Sequence, residues 1–194
     1  MKVLACDGIH EDGLQLFRLA GWDVAISDPI KDPEELAAAI ADADALLVRS
    51  ATQVPASALE HARRLRVIGR AGAGVDTIDV DAATAKGIAV MNAPDGNTLA
   101  AAEHALSLLF ALARHIPRAD AGMKAGQWPK AGLTGFELEG KKLGVIGLGR
   151  IGGTVARKAQ GIGMEVAAYD PFLPPSAAGK GSVPLKTLDD LLAW

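Results

Sequence analysis

Three glycines spaced G-x-G-x-x-G, at Gly147, Gly149 and Gly152, stand directly behind an apolar run from Leu143 to Ile146. A helix-compatible stretch, Gly153 to Ile162, comes next, and a second apolar run, Val166 to Tyr169, ends at Asp170. Strand, glycine turn, helix, strand and acid in that order describe a site for a dinucleotide. Gly147 permits the tight turn, Gly149 lets backbone approach a pyrophosphate, and Gly152 lets the helix pack close to the strand. The N-terminus of the helix adds unpaired N–H groups and a positive dipole end for the phosphates. A carboxylate at Asp170 accepts hydrogen bonds from the adenosine ribose and repels the extra phosphate of NADP, so NAD is the expected cofactor. An Asp before Pro171 also opens turns, and the two uses are compatible.

The elements that hold this site belong to an α/β chain. Before the glycine motif, short apolar runs recur at 3–6, 24–26, 45–48, 67–68 and 88–91. Helix-like stretches lie between the first four of them, over Glu11 to Ala20, Pro33 to Ala43 and Pro55 to Arg64. Asp32-Pro33 and Val54-Pro55 read as helix starts with Pro in the first turn. Such alternation implies right-handed crossovers and a parallel sheet covered on both faces. Five strands complete a small flavodoxin-like layer over residues 1–96. A long helix should begin at Asn97-Thr98, carry an apolar stripe of Leu106, Leu109, Phe110, Ala113 and Ile116, and end or kink at Pro117. The glycine-rich, non-periodic segment 122–140, with Trp128-Pro129, reads as an arm reaching to another subunit. Residues 97–140 therefore link the first layer to an incomplete Rossmann nucleotide domain over 141–194. Only two parallel strands of that domain are legible, which would leave apolar faces and strand edges unpaired.

Composition narrows the function classes. A chain of 194 residues that is 49% hydrophobic, with a net charge of −3, carries no basic footprint for nucleic acid. The longest apolar stretch, Ala105 to Ala113, is too short to span a bilayer, and the N-terminus reads as a strand; a cytoplasmic location is expected. One cysteine, Cys6, excludes an internal disulfide framework and reads as a small buried hydrophobe. No His, Cys and acid set has metal-ligand spacing.

Four segments together carry a resemblance. Residues 47–52 (Leu-Val-Arg-Ser-Ala-Thr), 69–79 (Gly-Arg-Ala-Gly-Ala-Gly-Val-Asp-Thr-Ile-Asp), 90–97 (Val-Met-Asn-Ala-Pro-Asp-Gly-Asn) and the glycine motif with Tyr169-Asp-Pro171 resemble the D-2-hydroxyacid dehydrogenase family. The match runs in order over nearly the whole chain and is strongest to the branch that acts on 3-phospho-D-glycerate at the start of serine biosynthesis. It implies that residues 1–96 help bind substrate, and that a homodimer forms through 97–140. Gly72, Ala73 and Gly74 match the loop whose N–H groups hold the substrate carboxylate, with Ser50 beside it and Ala73 also near the cofactor. Arg49 and Arg70 match the arginines that favour a phosphorylated hydroxy acid, and Lys130 matches a basic residue contributed by the neighbouring subunit. Guanidiniums and an ammonium around one dianion are chemically apt; ordinary solvated charge is the alternative for each, and it weighs more for Lys130 than for Arg49 and Arg70, which stand at strand ends. Arg150 and Ile151 match residues that meet the cofactor pyrophosphate. Gly153 and Ala73 depart from the side chains usual at those positions.

Hydride transfer to NAD from a 2-hydroxy acid needs a base for the hydroxyl proton and a cation to orient the substrate. The resemblance assigns these roles to a Glu-assisted His and an Arg, all expected beyond residue 194. His10, His61, His104 and His115 sit on helices or surface turns, and Glu103 and His104 are adjacent on one helix and face different ways. The chain by itself is accordingly expected to be inactive. Two other functions fit the same fold: an NAD-responsive, non-catalytic binding protein, and a glyoxylate or hydroxypyruvate reductase. Retention of Arg49 and Arg70 argues against both.

Overall fold

The computed structural model describes residues 1–128, 130–173 and 183–194. They fall into two compact units, Met1–Asn97 and Thr98–Trp194.

The first unit is a five-stranded parallel sheet of β1 (Lys2–Ala5), β2 (Asp23–Ile26), β3 (Ala45–Val48), β4 (Val67–Arg70) and β5 (Ala89–Asn92), in the order β2-β1-β3-β4-β5. The sequence direction of the sheet reverses between β1 and β3, the position where doubly wound sheets open a crevice at their C-terminal edge. Its helices are α1 (Glu11–Leu19), α2 (Pro33–Ile40), α3 (Ala56–Leu59) and α4 (Val80–Ala85). Central strands β1 and β3 are buried on both faces, as covered parallel strands must be, whereas edge strands β2 and β5 are largely exposed or half-buried. Leu36, Ile40, Leu46, Leu59 and Ile68 anchor the core. Asp32 caps α2 by accepting the Glu34 N–H, with Pro33 in the first turn, and His10 opens α1 through its Nδ1. The helix expected over 55–64 shortens to four residues, because the chain turns at Ala62 to enter β4. Helix α4 has no counterpart in the sequence reading. Phe17 and Trp22 meet in a tilted contact, 5.4 Å between ring centroids and 52° between planes, at the end of α1.

The second unit opens with α5 (Thr98–Ala113) and α6 (Ile116–Lys124), bent by 68° at a break between them. The break lies at His115, which adopts a left-handed φ of 52°, and Pro117 sits in the first turn of α6, where its missing N–H costs nothing. So the chain bends just before Pro117, and the first three residues of the segment expected to be irregular, 122–124, end a helix instead. Trp128 follows, 77% exposed. Strands β6 (Lys142–Ile146) and β7 (Glu165–Tyr169) pair in parallel around α7 (Arg150–Gly161), and α8 (Leu188–Ala193) closes the described chain. A third segment adds to this sheet: Ala168 forms a parallel bridge with Leu185, using the Pro184 carbonyl and the Lys186 N–H. The sheet of this unit keeps the two strands read from the sequence, and the bridge meets the outer edge of β7 at Ala168. Fully buried Ala102, Ala156 and Ala159 let α5 and α7 pack closely, and Glu103 pairs with Lys158 across them. Leu106, Leu109 and Ala113 face this core as the stripe predicts; Phe110 and Ile116 are exposed. Trp194 lies between the ammonium groups of Lys142 and Lys186. Among the described residues no single helix is long and apolar enough to cross a membrane.

Candidate functional site

In the first unit, the sequence-predicted ligand residues gather at the C-terminal ends of β3 and β4. Arg49 and Ser50 follow β3 directly and are exposed. Arg70 ends β4, and its side chain is only 10% exposed. Its Nε donates to the Arg49 carbonyl at 2.9 Å, and its Nη1 pairs with Asp76 at 3.0 Å. A Cβ on Gly74 would come within 2.6 Å of the Asp76 carboxylate and 2.9 Å of the Arg70 guanidinium. A side chain at 74 would therefore displace the ends of this pair, which lie against the loop.

The loop 72–74 itself is held by its carbonyls. The Gly72 carbonyl accepts from Ala93 N–H at 3.0 Å, and the Ala73 carbonyl from Asn92 Nδ2 at 2.6 Å. The Gly72 N–H is taken by the Arg70 carbonyl, whereas those of Ala73 and Gly74 meet no acceptor among the described residues. Two uncommitted backbone donors in one short loop can grip a carboxylate. The Arg49 guanidinium likewise has no partner among the described residues, in contrast to that of Arg70. Lys130 is exposed in the second unit, where its N–H bonds to the Trp128 carbonyl.

Beneath this edge lies a carboxylate that the sequence reading did not single out. Asp7, immediately after β1, is 9% exposed and has a left-handed φ of 64°. Its Oδ2 accepts from the N–H groups of Arg49 at 2.8 Å and Thr52 at 3.1 Å, and its Oδ1 from the Thr52 hydroxyl at 2.5 Å. Burial pushes its pKa up, but the Thr52 hydroxyl and the N–H groups of Arg49, Thr52 and Ala51 outweigh that and hold the carboxyl below its ordinary range. Its neighbour Cys6 is pushed up to about 11, first by burial and then by the Asp7 charge, against a hydrogen bond from Thr52. Cys6 is a buried thiol at neutral pH, as its place at the end of a core strand implies.

In the second unit the glycine motif forms a turn clamped to β7. The Gly147 N–H bonds to the Tyr169 carbonyl at 2.8 Å, and Gly147 takes a φ of 89° that a side chain would strain. A Cβ on Gly152 would collide with the Gly147 carbonyl, so only glycine lets α7 start this close to the turn. A Cβ on Gly149 would meet nothing within 4 Å, and Gly149 caps α7 without any side-chain bond. Open space in front of a helix N-terminus without a side-chain cap fits a pyrophosphate, with Arg150 and Ile151 in the first turn. Asp170 is half-buried. Its Oδ2 accepts from Leu148 N–H at 2.8 Å and its Oδ1 from Phe172 N–H at 2.9 Å. Asp170 thus shapes the turn, and each oxygen retains a lone pair able to accept a further hydrogen bond.

Among the described residues no group of three or more His, Cys, Asp or Glu side chains could hold a metal ion. His10, His61 and His104 are exposed and His115 lies at the helix break; none neighbours the loops above in sequence. A cavity of about 1010 Å³ between α2 and α3, lined by Asp32, Ala38, Ser57 and His61 among others, contains none of the loop residues.

Comparison with known proteins agrees with this arrangement. The D-isomer specific 2-hydroxyacid dehydrogenase catalytic-domain family matches residues 3–181. The chain is 46% identical over 191 residues to D-3-phosphoglycerate dehydrogenase of Methanocaldococcus jannaschii, covering 98% of this chain and 36% of that protein. It is 48% identical to the Rattus norvegicus protein of that name, covering 98% of this chain and 36% of that protein. The chain thus spans about a third of the length of these curated relatives. Among solved structures, the TT0316 protein of Thermus thermophilus superposes with a TM-score of 0.88 at 31% identity, covering 99% of this chain and 61% of that one. D-lactate dehydrogenase of Aquifex aeolicus, complexed with NAD and lactic acid, superposes with a TM-score of 0.82 at 25% identity, covering 98% of this chain and 57% of that one. With the family matched over most of its length and its glycine loops in place, the chain belongs to the D-isomer-specific 2-hydroxyacid dehydrogenases.

Proposed function

We propose that this chain supplies the substrate-binding and NAD-binding parts of an oxidoreductase that converts 3-phospho-D-glycerate to 3-phosphohydroxypyruvate, the first step of serine biosynthesis. The observation that carries the reading is the exposed guanidinium of Arg49, which has no partner among the described residues, together with the 72–74 loop, two of whose N–H groups meet no acceptor among them. The loop donors of Ala73 and Gly74 suit the carboxylate of a 2-hydroxy acid, and Arg49 suits a phosphate at its far end. When bound, NAD accepts the hydride from C2 of the substrate. The residues of this chain bind and orient: α7 faces the pyrophosphate, and Asp170 faces the ribose and disfavours NADP. Base and orienting cation are not found among the residues described above, so the 194-residue chain is proposed to bind ligands without turning them over. The same reading gives a cytoplasmic homodimer through 97–140, supported by exposed Leu108, Leu112 and Trp128, with Lys130 completing the partner's phosphate pocket.

Calorimetric titration of the purified chain tests the reading. It should bind 3-phosphoglycerate more tightly than glycerate and NAD more tightly than NADP, with no NADH formed when 3-phosphoglycerate and NAD are supplied together. Equal affinity for the two acids would remove the phosphate reading. NADH formation that tracks the pure chain would place a catalytic base within it.

A further inference from the structure

Asp7 spans the point where the order of the first sheet reverses. It follows β1, and every donor it takes from residues 49–52 follows β3, the next strand across the crevice. Its backbone adopts a left-handed conformation that Asp and Asn tolerate better than other side-chain-bearing residues. No Lys, Arg or His pairs with it among the described residues; its charge is met by N–H and O–H groups of one loop. Charge-assisted bonds of that kind are short and directional, and they hold a loop more stiffly than neutral acceptors would. The Thr52 hydroxyl passes the restraint on by accepting the Ile30 N–H at 3.1 Å. Arg49 is consequently gripped on both sides of its residue, by Asp7 at its N–H and by Arg70 at its carbonyl, while its side chain is exposed.

We propose that Asp7 is a positioning residue of the substrate site, fixing the Arg49–Thr52 loop so that the Arg49 guanidinium is preset for the substrate phosphate. This rests on the reading of Arg49 given above. Asp7 itself touches no substrate. Its effect runs through the backbone of one loop, at the crevice where doubly wound sheets bind ligands.

Asp7→Gly keeps the left-handed backbone and removes the carboxylate; Asp7→Asn keeps the shape and can still accept from the two N–H groups. Amide hydrogen exchange and titration with 3-phosphoglycerate are measured on both, with NAD affinity as a control for folding of the second unit. In Asp7→Gly the Arg49 and Thr52 amides should exchange at least about tenfold faster, and 3-phosphoglycerate should bind at least about tenfold more weakly. Asp7→Asn should recover most of both. In an Arg49→Ala background the effect of Asp7→Gly on binding should vanish. Unchanged exchange at Arg49 and Thr52 would overturn the proposal. Faster exchange with unchanged binding, in a protein where Arg49→Ala does weaken binding, would also overturn it. Arg49→Ala without effect would instead remove the underlying phosphate reading, with the exchange data still deciding whether Asp7 fixes the loop. Should Asp7→Gly not fold, Thr52→Val removes the hydroxyl bond to Asp7, leaving those from the Arg49 and Thr52 N–H groups, and is read in the same way.

Discussion

At the scale of single residues, the two arginines divide a task that their types alone would assign to both. Arg70 spends its guanidinium on the Arg49 carbonyl and on Asp76, above Gly74, whereas that of Arg49 has no partner among the described residues. Arg49→Ala should therefore weaken 3-phosphoglycerate binding by one to two orders of magnitude and leave glycerate nearly unchanged, the loss expected when a dianion loses a charged donor. Arg70→Ala should weaken both ligands and lower the melting temperature, because it unties two loops. Parallel titrations with thermal unfolding check this; equal selectivity in the two variants would show that both guanidiniums meet the phosphate. Sequence pattern displays the arginines, the glycines and Asp170, since each sits inside a local motif. It does not display Asp7 or Asp76. Asp7 works through donors more than forty positions away and through a positive φ, and neither leaves a local signature beyond an Asp-Gly pair at a strand end.

At the scale of elements, the close approach of α7 to the glycine turn is the tightest constraint in the second unit. Gly152→Ala should push α7 away from Gly147, at a cost of about 1–3 kcal/mol in unfolding free energy, and should abolish NAD binding. Denaturant unfolding and NAD titration of the variant measure both effects; an alanine variant that binds NAD normally would show that the turn yields freely. Strands and the helices α1, α2, α5 and α7 were legible because apolar runs and caps announce them. Helix α4, six residues behind the Asp79 cap, is too short for a period to register. Helix α6 starts from the left-handed His115 and carries Gly122, so neither its start nor its interior looks helical. The bridge at Leu185 is a single residue pair, below the length at which alternation or an apolar run can be read.

At the scale of the whole molecule, each unit owns a core: Leu36, Ile40, Leu46 and Ile68 in the first, Val145, Ala156, Val166 and Ala168 in the second. Division of the chain near Asn97 was legible because the alternation of strands and helices stops there and a long alanine-rich helix begins. Two cores of such different extent, one under five strands and one under two and a bridge, should have different stabilities. The tryptophans make that difference visible. Trp22 packs at a tilt on Phe17 in the first unit, and Trp194 lies near two ammonium groups in the second. A fluorimeter can therefore address each unit by its own colour. Emission of a Trp22→Phe variant should follow the second unit and that of a variant with both Trp128 and Trp194 changed to Phe the first, with the second unit melting at the lower guanidinium concentration. One shared midpoint would mean that the units unfold together.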